Sequence, residues 1–145
     1  MKKIGYVIVL VLSMFIFKMF DQVNALQFTA TLDIDSPYNG QVVMDELNFR
    51  GWVMSEDENR TIRITIDGEE IDSELIKEER EDVLNAIKGY GGKEKNKIPG
   101  YKGSVDISHL SSGTHQYRVE VVSNEGIVIG EKTNNFVVRD YETKM

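Results

Sequence analysis

The chain has 145 residues, 41% of them apolar and 28% charged, the balance of one ordinary globular domain rather than a fibrous or disordered chain. It contains no cysteine, which excludes a disulfide scaffold, a lipid-carrying thiol, a thiolate metal site and a cysteine nucleophile. The formal net charge of −7 argues against nucleic acid as a partner, because neutralising phosphates needs a basic face.

The first 25 residues read as an export signal. Lys2 and Lys3 precede an apolar run over residues 4–17, and the more polar stretch after Lys18 ends in Val23-Asn24-Ala25. A charged start, an apolar middle and small residues at the end predict cleavage between Ala25 and Leu26. The run is shorter than the ~20 residues that cross a membrane, so an uncleaved anchor over residues 4–20 is the alternative. In both cases the positive end stays inside and the rest of the chain lies outside the cytoplasm. An exported chain without cysteine fits a bacterial surface better than a eukaryotic secretory route.

Beyond a linker over 26–31, the chain alternates as short strands divided by turn residues. Leu32-Asp33-Ile34-Asp35 stops at Ser36-Pro37-Tyr38-Asn39-Gly40. Leu47, Phe49, Gly51 and Val53 share one parity, with Asn48, Arg50 and Trp52 on the other. Ile62, Ile64 and Ile66 alternate with Arg63, Thr65 and Asp67, and Asp67-Gly68 predicts a hairpin turn. Val105 and Ile107 form another such set, as do His115, Tyr117, Val119 and Val121. Asn124-Glu125-Gly126 leads into a final pair of strands over 127–130 and 135–138. Six or seven strands at this spacing predict an antiparallel β-sandwich over 32–139, followed by a tail over 140–145.

Residues 73–102 break the alternation. The composition predicts a helix over 74–88, with Ser73 as N-cap, Gly89 as terminator, and Ile76, Val83, Leu84 and Ile87 on one face. A Gly- and Lys-rich loop follows, running to Pro99-Gly100-Tyr101. Such an insert is where special function is expected.

Several fragments resemble one bacterial immunoglobulin-like module of secreted and cell-wall proteins, including peptidoglycan hydrolases. They are Asp35-Ser36-Pro37, Arg50-Gly51-Trp52, Ile66-Asp67-Gly68, Arg80 with Asp82-Val83, Gly89-Tyr90, Pro99-Gly100-Tyr101, and Leu110 with Gly113 and His115. Their order and spacing agree over 32–138. The resemblance implies an immunoglobulin-like sandwich in a non-catalytic role: spacing, display, or binding of glycan or protein. Two departures, Glu81 in place of the usual proline and the long basic loop over 91–98, favour a true helix in the insert.

The chemistry-bearing residues point away from catalysis. His115 is in phase with Tyr117 and Val119, as a half-buried core residue would be. His109 sits in a serine-rich turn without a nucleophile elbow, and neither histidine has zinc spacing. No catalytic residue, metal or cofactor is expected. The loop at Glu56-Asp57-Glu58-Asn59 reads as a solvated turn. Arg80 and Asp82 are expected to form a structural ion pair that pins the insert to the sandwich. Trp52, either beneath the insert or exposed, and the loop tyrosines Tyr38, Tyr90 and Tyr101 offer aromatic area for a ligand. Lys93, Lys95, Lys97 and Lys102 read as a basic patch on an acidic chain.

These features together lead to an exported, non-enzymatic binding or adhesion module on a Gram-positive-type envelope, contacting cell-wall glycan or an envelope protein. Contacts are assigned to Trp52, Tyr90, Tyr101, Lys93, Lys95 and Lys97. The alternatives are a secreted inhibitor or immunity-type protein that docks an enzyme through residues 89–102, and a structural subunit of an envelope complex.

Overall fold

The computed structural model describes residues 27–140. The expected signal or anchor helix, the cleavage point between Ala25 and Leu26, and residues 141–145 lie outside the described residues. Among the described residues, nine strands and two short helices follow one another: β1 (Ala30–Ser36), β2 (Gln41–Val43), β3 (Glu46–Ser55), β4 (Thr61–Ile66), β5 (Glu69–Glu70), β6 (Ile76–Glu78), α1 (Glu81–Ala86), α2 (Gly92–Lys95), β7 (Gly100–Asp106), β8 (Gly113–Val122) and β9 (Val128–Val138).

The strands form two sheets, ordered β1-β3-β7-β6 and β2-β9-β8-β4-β5. Period-2 patterning explains why they stack. Along β3, Leu47, Phe49, Gly51 and Val53 are buried while Glu46, Asn48 and Arg50 are exposed. In the other sheet Ile64, Ile66, Tyr117, Val119 and Val121 point inward, and the last three have no exposed surface. These two faces share one core, and the rings of Phe49 and Tyr117 meet across it at 6.3 Å. Each large apolar side chain removed from water in this way contributes roughly 1.5–3 kcal/mol. Asp67 and Gly68, both at positive φ (51° and 84°), make the tight turn from β4 into β5.

Four expectations are corrected. The sandwich is not wholly antiparallel, because β2 runs parallel to β9. The last two expected strands are one continuous β9, and β1 begins at Ala30, inside the expected linker. The helix expected over 74–88 is only α1, six residues long; Arg80 is its N-cap, and Ile87 in extended conformation ends it rather than Gly89. Near its start lies β6, three residues that pair with β7 from Ile76 to Glu78. Ser73 caps nothing; its hydroxyl donates to the Ser104 carbonyl at 2.7 Å. Local helix propensity over these residues is worth only tenths of a kcal/mol each, and the open edge of β7 offers a backbone ladder instead.

Gly51 marks a close approach in the core. A Cβ there would lie 2.5 Å from the Tyr101 hydroxyl and 2.6 Å from the Asp33 carbonyl. Because one of those atoms is backbone, Gly51→Ala is expected to destabilise the fold by about 2 kcal/mol or more. Urea unfolding of the variant against the natural chain measures this.

Candidate functional site

The insert between β5 and β7 is held to the sandwich by charged and polar fasteners. On the outer face of the first sheet, Arg80 reaches back from the start of α1. Its Nη1 donates to Asp35 of β1 at 2.5 Å, while its Nε and Nη2 grip both oxygens of Asp82 at 2.9 and 2.8 Å. Asp35 occupies a bulge where the β1–β3 register shifts between Ile34 and Ser36, which aims its carboxylate at the insert. Arg50 repeats the fork with Glu78 of β6 at 2.8 and 3.1 Å. The Arg80 side chain is only 8% exposed, and its stem crosses Gly100, where a Cβ would lie 2.6 Å from Arg80 Cγ. Paired forks of this kind are the strong form of a charged hydrogen bond. The Arg80 guanidinium holds the Asp82 carboxyl down to about 2, and Asp82 above all, with Asp35, raises Arg80. The Arg80–Asp82 pair is local to the insert; the bond to Asp35 is the one that ties it to the sandwich.

Asn96 fastens the other end. It is 1% exposed; its Oδ1 accepts the Ser55 N–H at 2.8 Å, and its Nδ2 donates to the carbonyls of Tyr90 and Gly92 at 2.8 and 2.9 Å. Nothing local in Lys95-Asn96-Lys97 announces this role. Asp57, expected in a solvated turn, is buried instead. Its two oxygens accept the N–H groups of Asn59 and Asn124, at 2.9 and 2.8 Å, joining two loops.

Between β4 and the insert lies an open cleft of about 620 Å³, within the ~300–1,000 Å³ range of ordinary ligand sites. Val53, Ile62, Leu75, Ile98, Pro99 and Tyr101 give it apolar walls. Arg60, Lys77, Lys95 and Lys97 stand around it with Glu58 and Glu94. Arg60 is half-buried, and its guanidinium donates to the carbonyls of Asp57 at 3.1 Å and of Lys95 and Val53 at 3.5 Å. Burial depresses its pKa against the pull of Asp57 and Glu58. Arg60 and Lys77 were not singled out by the sequence, because their neighbours around the cleft come from distant segments.

The aromatic residues expected to make one contact face do not converge. Tyr101 is not in a loop: it belongs to β7, is 2% exposed, and has its hydroxyl over Gly51. Burial above all pushes its phenol, and that of Tyr117, well above the usual range, and the two buried hydroxyls interact with each other. Trp52 is half-buried on the outer face of β3, in register with Asp33 and Gly100. Tyr90 is half-buried at φ 53° in the turn before α2, and Tyr38 is exposed at the opposite end of the sandwich. The basic patch divides as well. Lys95 and Lys97 line the cleft, with Lys95 3.5 Å from Glu58, and Lys93 lies 4.0 Å from Glu81. Lys102 pairs in register with Arg50 on the outer face.

His115 is 8% exposed and stacks on Phe136 with ring centroids 5.7 Å apart. Its Nδ1 meets Asp67 at 2.5 Å and its Nε2 meets the Ser111 carbonyl at 2.6 Å. An aspartate–histidine pair thus exists, but the second ring nitrogen faces a main-chain carbonyl where a triad would hold a nucleophilic hydroxyl. Among the described residues, no group of three or more histidines and carboxylates could hold a metal ion, and no helix is long and apolar enough to cross a membrane.

No family model matches the chain, and no curated protein matches it. Solved structures do. The endo-β-1,4-mannanase from Thermotoga petrophila aligns over 85% of this chain with a TM-score of 0.50 and 16% identity. That likeness is one of fold, and the chain spans only 22% of the mannanase. The fibronectin(III)-like modules of Clostridium thermocellum CbhA align at TM-score 0.47 and 13% identity, over 76% of this chain and 98% of theirs. The SrpA adhesin from Streptococcus sanguinis aligns at 0.48 and 12%, over 82% of this chain and 62% of its own.

Two measurements check this geometry. Arg80→Met keeps the stem and removes the guanidinium from Asp35 and Asp82, leaving Asp35 only Arg50 at 3.9 Å; a loss of ~1–3 kcal/mol is expected, against less than ~1 for Arg50→Met at its more exposed pair, both read by urea unfolding. The His115–Asp67 pair sets a pH window. Asp67, which forms the strongest side-chain bond, raises His115, so its contribution is complete below the unfolded value of 6.5 and disappears as pH rises through the folded one. Asp67 is lowered from 3.8, the bonds from the Gln116 N–H and His115 outweighing desolvation that acts upward, so its share fades in acid below that value. The thermal midpoint lost by His115→Gln should therefore be largest near pH 5 and shrink above neutrality.

Proposed function

We propose that this chain is a non-enzymatic, immunoglobulin-like binding module, exported to the bacterial cell envelope, that meets its partner on the insert side. The observation that carries the reading is the cleft between β4 and the insert, a concave, apolar-walled, cation-rimmed feature on a braced scaffold. Lettered in chain order, the strands divide into sheets A-B-E-D and A′-G-F-C-C′, which supports the immunoglobulin-like assignment. Lys2-Lys3, the apolar residues 4–17 and Val23-Asn24-Ala25 support export, with cleavage between Ala25 and Leu26. The engagement of both His115 ring nitrogens by Asp67 and a main-chain carbonyl supports a role without catalysis.

The partner is an envelope protein or cell-wall glycan, contacted through Lys95, Lys97 and the cleft walls. Cross-linking of intact host cells, followed by mass spectrometry of the recovered chain, tests the reading. The expected result is a chain in the envelope fraction, starting at Leu26 or retaining its apolar segment, with links from Lys95 or Lys97 to wall material or an envelope protein. Recovery of the intact chain from cytosol overturns it, as do links confined to the Tyr38 end. A stoichiometric enzyme partner whose activity falls on binding would make the chain an inhibitor instead.

A further inference from the structure

The cleft is bordered by one strand edge from each sheet, and one of those edges has open backbone positions. β5 pairs with β4 only at Thr65 and Ile66, and one further bond runs from the Ile71 N–H to the Ile64 carbonyl at 3.0 Å. The Ile64 carbonyl therefore points away from β8. Backbone groups alternate sides along a strand, so the N–H and C=O of Ile62 point the same way. No strand of the described residues covers them; Thr61 and Ile62 line the cleft instead. Across the opening, β6 uses its inner edge to pair with β7, and Leu75 and Lys77 complete the wall. A free strand edge beside apolar pockets is the arrangement in which an extended chain adds as a further strand.

The charges choose among extended chains. Four cations, Arg60, Lys77, Lys95 and Lys97, stand against two carboxylates, Glu58 and Glu94, in a chain whose net charge is −7. Lys95 is occupied by Glu58, and Arg60 is met by main-chain carbonyls rather than by a carboxylate. Lys77 and Lys97 are exposed at the rim. The other seam of the sandwich offers no such opening: Lys132 bonds Asp33 across it, and Gly130 packs against Ala30 so closely that a Cβ would lie 3.1 Å from the Ala30 carbonyl.

We propose that the cleft receives an extended, acidic polypeptide segment, which adds to the free edge of β4 at Ile62 and sets its carboxylates against Lys77, Lys97 and Arg60. The inference rests on the binding-module reading and narrows its partner to a protein strand rather than a glycan. The probe is a capped peptide of about eight residues alternating Val with Asp, titrated into the ¹⁵N-labelled full-length chain. The expected result is saturable shifts at the amides of Ile62, Leu75 and Lys97, with slower hydrogen exchange at Ile62. Methylating alternate peptide nitrogens should weaken binding at least about tenfold, because it removes ladder donors. The exposed pair Lys77→Glu with Lys97→Glu should weaken it by about as much, with the thermal midpoint unchanged.

No binding overturns the proposal, as does undiminished binding of the methylated peptide, equal binding of a Val–Lys peptide, or shifts confined to the outer sheet faces. If purified cell wall captures the chain while the peptide does not bind, strand addition fails and the binding-module reading stands. If the peptide maps to the cleft but the chain is cytosolic, the envelope setting fails and strand addition stands.

Discussion

The closing of two strand faces on one another is the interaction on which the rest of the molecule depends. Leu47, Phe49 and Val53 from one sheet, and Tyr117, Val119 and Val121 from the other, are almost wholly removed from water. A one-residue slip of any of these strands would turn its apolar side chains outward, so this packing also sets the register of everything attached to the sheets. The carboxylate of Asp35, the fork of Arg50 and the open edge at Ile62 are where they are because the inner faces allow one alignment only.

The insert is secured by a different kind of force. It contributes Val83 to the buried set, but its position relies on polar contacts at both ends, Arg80 on Asp35 and Asn96 on Ser55. A glycine makes room for the first of these contacts: Gly100 lets the Arg80 stem cross β7. Such contacts are directional, so they specify geometry more than they add stability. The result is a loop-rich segment held firmly enough to form one wall of a cleft. The opposing wall is rigid because it belongs to the sandwich.

Functional potential is concentrated where the ladder is incomplete. β5 is two residues long and leaves part of β4 uncovered, and β6 is three residues long and leaves the matching edge of the other sheet exposed. Short edge strands usually guard against unwanted pairing; here the shortness opens a lined and charged groove. The aromatic residues do not form a stacking platform, since Trp52, Tyr90 and Tyr101 face three different environments. The groove therefore offers backbone groups, aliphatic walls and cations.

Alternation along β3, β4 and β8 was legible in the sequence because burying one face of a strand leaves a period of two in the residues themselves. The Asp67-Gly68 turn was legible for a similarly local reason, since its positive φ angles favour that pair. The absence of thiol chemistry and the acidic charge followed from composition alone. What the sequence did not contain was any signal for which edge would be left unpaired. The segment over 74–88 has a helical composition, yet Ile76–Glu78 within it became β6, because the unpaired edge of β7 outweighs a weak local propensity. Tyr101 looked like a loop residue next to Pro99 and Gly100 until pairing with β3 drew it into the core. Arg60, Lys77 and Lys97 lie far apart along the chain, and only the stacking of two sheets brings them to one opening. Local periodicity records which side of a strand meets water; which strands meet one another is decided by long-range packing, and the cleft exists only at that level.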